Sequence, residues 1–139
     1  MSILDVNEGI LVGGGKETIA QVEAYAEEQM DALEVPMKIA MKMNVVVDEI
    51  YSNIALYSGA SAARVICRKE NGQLILIFAD NGIPFDPLVK EDPDITLSLE
   101  ERQIGGLGIF LSKKMTDSME YKRQDGVNVV TVRKNLEQV

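Results

Sequence analysis

Asn71-Gly72 lies between two runs of apolar and β-branched residues, and it constrains the fold more than any other stretch of the 139-residue chain. This dipeptide favours a two-residue hairpin turn because both positions accept positive φ. A turn closed by Glu70 and Gln73 sets the register on both sides. It places Arg68 opposite Ile75 and Ile66 opposite Ile77. By the two-residue pleat, Val65, Cys67, Leu74, Leu76 and Phe78 then share one face. The same parity carries Asp80, at the end of its strand, onto that apolar face. A carboxylate aimed there needs a partner or a ligand.

The rest of the chain supplies helices and a second hairpin. Residues Ile3 to Val12 read as a weak strand running into Gly13-Gly14-Gly15. Ile19, Val22, Ala26, Met30 and Leu33 keep helical spacing, and Thr18 with Gln21 forms a possible capping box. Pro36 suits the first turn of a second helix. That helix carries Ile39, Met43, Val46, Val47, Ile50 and Ile54 inward and reaches about Leu56 or Tyr57, where Gly59 stops it. Pro84 to Gly106 holds three of the four prolines and reads as a long loop of lid length. A helix is expected from about Leu107. Glu120–Arg123 and Val127–Arg133 flank Asp125-Gly126 as a second hairpin. The order β-α-α-β-β-loop-α-β-β predicts an α+β two-layer sandwich, an antiparallel or mixed sheet with helices on one face. All 139 residues fit a single domain.

Composition then excludes whole classes of chemistry. The chain has no histidine, so Ser-His-Asp triads, HExxH zinc sites and histidine autophosphorylation are out. Acid–base work must fall to Asp, Glu, Lys, Tyr or Cys67. The net charge of −8 argues against phosphate-driven nucleic-acid binding. One cysteine precludes an internal disulfide. No basic n-region opens the chain and no apolar run nears the roughly 20 residues of a membrane span. These features together predict a cytoplasmic protein that contacts neither membrane nor nucleic acid directly.

Four stretches are candidates for chemistry. Gly13-Gly14-Gly15-Lys16-Glu17-Thr18 mimics a phosphate loop, but Ile10 stands where the first glycine belongs and Glu17 where the hydroxyl belongs. It reads as a flexible turn. Glu49 and Asn53, four apart, share one helix face. They form either a solvated stripe or a pair of hard oxygen donors at the rim of an apolar face, suited to Mg²⁺ or to base catalysis. Asp80-Asn81-Gly82-Ile83-Pro84-Phe85-Asp86-Pro87 is either a run of turn formers or a ligand-reading strand end. Gly105-Gly106-Leu107-Gly108 opens a helix, as a hinge or as an anion site.

Together and in this order, these last three stretches resemble the GHKL (histidine-kinase-like) ATPase superfamily. Glu49-Ile50-Tyr51-Ser52-Asn53 is similar to its N box, Asp80–Pro87 to its G1 box and Gly105–Gly108 to its G2 box. The likeness spans about Pro36 to Lys134. The Pro-Phe-Asp-Pro form of the G1 stretch, with the Met119 to Thr131 tail, is similar to bacterial anti-sigma factors of the serine/threonine kinase group. That resemblance implies ATP and Mg²⁺ as cofactors, Glu49 as general base and Asn53 as the Mg²⁺ ligand. It implies Asp80 as acceptor from the adenine amino group, with Gly82 permitting close approach and Thr131 behind Asp80. It implies Gly105, Gly106, Leu107 and Gly108 around the phosphates, with Arg102 on the γ-phosphate. The implied partners are an anti-sigma-antagonist (STAS-like) protein as substrate, a sigma factor, and a second copy in a homodimer. The implied function is an anti-sigma-type protein kinase acting by partner switching, or alternatively a nucleotide-gated binding module without phosphoryl transfer.

Overall fold

The computed structural model describes residues 2–84 and 112–137. Among these residues, two long helices and five strands occur in the expected order. They are β1 (Ile10–Val12), α1 (Ile19–Ala32), α2 (Met37–Tyr57), β2 (Ala63–Glu70), β3 (Gln73–Asp80), β4 (Ser118–Gln124) and β5 (Val127–Asn135). The strands form one sheet in the order β1-β2-β3-β5-β4. Every pairing is antiparallel, which settles the open choice between antiparallel and mixed.

The hairpin register is the expected one. Ile66 pairs with Ile77 and Arg68 with Ile75, with Glu70 and Gln73 closing the turn. Asn71 and Gly72 both take positive φ, 52° and 77°, as a two-residue turn of this kind requires. Helix α2 begins after Pro36 and caps at Ser58, and Gly59 follows with φ of 67° in the left-handed stop position. The helical stretch expected from Leu107 is described only over residues 112–115.

One local expectation fails. Thr18 precedes α1 but makes no capping hydrogen bond from its side chain. Its hydroxyl instead donates to the Gly15 carbonyl at 2.6 Å and hydrogen-bonds the Tyr51 hydroxyl. A tertiary partner has outcompeted the local one. The capping box that does form lies in the 3-10 turn Ile3–Asp5, between Ser2 and Asp5.

The sheet has two covered faces of unequal kind. On the front, α1 and α2 seal a core containing Val22, Met30, Met43, Val46, Tyr51, Leu74, Leu76, Phe78 and Val132. On the back, Ile66, Ile75, Ile77, Ala79, Val127 and Val129 are buried beneath Ile3, Leu4 and Val6. The N-terminal stretch therefore packs across the sheet, and only Ile10–Val12 of the expected Ile3–Val12 strand is paired. Arg64 anchors it. This arginine is 7% exposed, and its guanidinium donates to the carbonyls of Leu4 and Glu8 at 2.7–3.4 Å. A buried guanidinium needs such acceptors, and two backbone carbonyls supply them.

Candidate active site

The site lies where the end of β3 meets the C-terminal half of α2. Asp80 is 4% exposed and faces the helix side, paired with Ala63 on β2 and Asn128 on β5. Its Oδ1 accepts from the Gly82 N–H at 2.9 Å and from the Asn128 side-chain amide at 3.2 Å. Burial pushes its carboxyl above the usual range, and the Gly82 and Asn128 donors, with the Arg123 charge, pull part of that back. Among the described residues, no hydrogen bond engages the second oxygen. Asp80 is thus held on one side and available on the other.

The turn after Asp80 is fastened to two neighbours. Asn81 accepts the N–H groups of Ser61 and Ala62 at 2.9 and 3.1 Å, and its amide donates to the Ser61 hydroxyl. Ile83 donates its N–H to the Ser58 carbonyl at the α2 cap, at 2.9 Å. Gly82 sits so close to Ser58 that an added Cβ would meet its carbonyl oxygen at 2.4 Å. Only glycine lets the strand end approach the helix this closely. The turn is therefore welded to the end of the same helix that carries Glu49 and Asn53.

Those two residues lie one helical turn apart on α2, each half-buried. Burial, with the neighbouring Asp48 charge, pushes the Glu49 carboxyl upward. Such a shift suits a base, because a stronger base accepts a proton more readily at neutral pH. On α1, a hydrogen bond to Asp48, together with burial and the Asp48 charge, pushes Glu23 up to about 7. The Asn53 side chain makes no hydrogen bond among the described residues, which leaves its amide oxygen open to a hard cation.

The remaining expected residues fall in three ways. Phe85, Asp86 and Pro87, Arg102, and Gly105, Gly106, Leu107 and Gly108 lie outside the described residues. Thr131 is described, and it is a correction. It pairs with Ile77 and Glu120, three positions from Asn128, and so lies on the opposite face of the sheet from Asp80. Asn128 occupies the place expected of it, and sequence reasoning missed this residue. The signal was available: extending the register from β3 into the second hairpin would have put Asn128 opposite Asp80. Cys67 drops out of acid–base chemistry, since burial pushes its thiol up to about 12. Gly14, at φ 83°, packs so that a Cβ would meet the Ala60 carbonyl oxygen at 2.7 Å.

The profile of the histidine kinase-like ATPase domain family matches residues 15–134. The chain belongs to that family, and its α+β architecture is the histidine-kinase-like ATPase fold. It is 27% identical over 99 residues to the serine/threonine-protein kinase BtrW of Bordetella bronchiseptica, covering 68% of this chain and 70% of that protein. Among solved structures, it resembles the blue-light activated histidine kinase EL346 of Erythrobacter litoralis with a TM-score of 0.58 at 14% identity. That likeness covers 84% of this chain and spans 42% of the kinase. It also resembles a chain of the SiaB-SiaC complex from Pseudomonas aeruginosa with a TM-score of 0.54 at 18% identity, over 90% of this chain and 88% of that one. At such identities the structural likeness is one of fold. No helix among the described residues is long and apolar enough to cross a membrane.

Proposed function

We propose that this chain is an anti-sigma-type serine/threonine protein kinase, which binds Mg-ATP and phosphorylates an anti-sigma-antagonist protein. The observation that carries the reading is the placement of Asp80. It is buried at a strand end with one oxygen tied down and the other available, fastened through Gly82 to the helix bearing Glu49 and Asn53. Asp80 accepts from the exocyclic amino group of adenine, and Gly82 leaves room for the ring edge. The similarity to BtrW favours a hydroxyl-bearing protein substrate.

The donor set fits one hard cation held together with phosphates. No cluster of three or more His, Cys, Asp or Glu occurs among the described residues, so no all-protein cage is present there. Mg²⁺ commonly keeps its waters and takes one or two protein oxygens along with phosphate oxygens. Asn53 is the oxygen this chain offers. When bound, Mg²⁺ neutralises charge on the transferring phosphoryl group. Because the net charge of −8 repels a polyanion, that local neutralisation is a condition for ATP to bind.

Glu49 accepts the proton of the substrate serine or threonine hydroxyl. The hydroxyl oxygen bonds to the γ-phosphorus as the bond from that phosphorus to the β,γ-bridging oxygen breaks, and ADP leaves. With no histidine in the chain, the acceptor of the phosphoryl group is not one of its own imidazoles. Partner switching follows if the phosphorylated antagonist releases this chain to bind a sigma factor. Incubation with γ-labelled ATP and a cognate antagonist tests the proposal. Label on an antagonist serine or threonine supports it. ATP binding without label transfer overturns the kinase and leaves a nucleotide-gated binding module.

A further inference from the structure

Asp80 owes its orientation to a side chain that is itself locked. Among the described residues, four hydrogen bonds engage the Asn128 carboxamide. Its oxygen accepts from the Tyr121 hydroxyl at 2.6 Å and from Arg123 Nη1 at 3.0 Å. Its nitrogen donates to Asp80 Oδ1 at 3.2 Å and to the Ile83 carbonyl at 2.7 Å. Two of these partners are chemically one-way. A guanidinium only donates and a carbonyl only accepts. The amide therefore cannot be turned over without setting its N–H against Arg123 and its oxygen against both Ile83 and the Asp80 carboxylate. Arg123 also donates to the Gly82 carbonyl at 3.1 Å, clamping the turn that follows Asp80.

We propose that Tyr121 and Arg123 are positioning residues that lock the Asn128 amide. The locked amide fixes the Asp80 carboxylate in the one orientation that leaves its second oxygen to read an exocyclic amino group, so that adenine is taken over guanine. The inference rests on the nucleotide reading given above. It adds that base discrimination is governed from the β4–β5 hairpin, by side chains that do not touch the base. With the lock released, the carboxylate can swing to meet the N1–H and amino group of guanine, and selectivity falls.

The test is the double variant Tyr121→Phe/Arg123→Gln, with Arg123→Lys as the conservative control that keeps a donor. We expect ATP affinity to fall about tenfold in the double variant. The ATP-to-GTP preference should narrow, and the melting temperature should change by no more than a few degrees. Arg123→Lys should retain most of the preference. The exchange of the Asn128 side-chain amide protons, followed by NMR in nucleotide-free protein, should be slow in the wild type and fast in the double variant. An unchanged ATP-to-GTP ratio in the double variant overturns the inference. So does an equal loss of both nucleotides together with a collapsed melting temperature, which would make the two residues part of the scaffold. A wild-type chain that binds neither nucleotide breaks the nucleotide reading instead. A freely exchanging Asn128 amide in a wild type that does bind ATP breaks the inference alone.

Discussion

The two ends of the site are built on opposite plans. At the strand end, Asp80 is 4% exposed, and its neighbours Asn81, Gly82, Ile83 and Asn128 are each tied by hydrogen bonds to a second element. On the helix, Glu49 and Asn53 are half-buried, and among the described residues no hydrogen bond restrains either side chain. Reading a flat heterocycle calls for a fixed acceptor, because a misplaced carboxylate forfeits discrimination. Moving a proton and meeting a cation call for groups that can adjust as phosphates and a protein substrate arrive. The difference teaches that rigidity sits where specificity is needed and latitude where the reacting groups must converge.

Mutations that act on one end only give the strongest tests of this contrast. Glu49→Gln should lower phosphoryl transfer by about 10²–10⁴-fold, the usual worth of a general base. Its ATP affinity, measured by calorimetry, should stay close to wild type. A parallel loss of affinity would show that the two ends are not separable. Asp80→Asn should weaken ATP binding by roughly a hundredfold through loss of a charged acceptor.

The same Asp80→Asn change should not destabilise the protein. The folded state raises the Asp80 pKa, so the folded chain holds this proton more tightly than the unfolded one. Stability from this group is present at low pH and is lost as pH rises through the folded pKa. Above the folded pKa the buried charge is a cost that asparagine removes. We expect an equal or higher melting temperature at pH 7, and a marked drop would contradict that account.

Smaller effects are expected from Asn53→Ala, about a tenfold loss of affinity confined to titrations that contain Mg²⁺. Equal losses with and without the cation would remove Asn53 from that role. The smallest effect is in the pH profile. Because burial and Asp48 raise the Glu49 pKa, the acid limb of the transfer rate should lie above the ordinary glutamate range. Asp48→Asn removes the second of those causes and should move the limb downward. An unmoved limb would detach Asp48 from the base.

Local rules made much of this legible. The Asn71-Gly72 turn dictated the register of β2 and β3, and that register alone placed Asp80 on the inner face. Glu49 and Asn53 followed from the helical period. What the sequence did not disclose depends on contacts between distant segments. Arg64 is one such case, since the carbonyls that allow its burial lie some 56–60 positions away. Thr18 looked like a cap until Tyr51 became available to it. Thr131 was placed by resemblance alone, and one step of strand parity moved it to the far face. Asn128 was overlooked because an asparagine near a turn has a local explanation, and only the pairing of β3 with β5 shows another.

Helix α2 links the two plans. It presents Glu49 and Asn53 from its side, and its cap residue Ser58 accepts from Ile83 and abuts Gly82. The span from Asn53 to Ser58 is therefore a phase-setting interval. Each residue of a helix advances the side chain by about 100° around the axis. One residue inserted there would leave Ser58 against the strand end and swing Glu49 and Asn53 away by that angle, with no functional residue altered. The site is encoded in a rotational count as well as in its side chains, and a length change of one in this helix would be costlier than most substitutions.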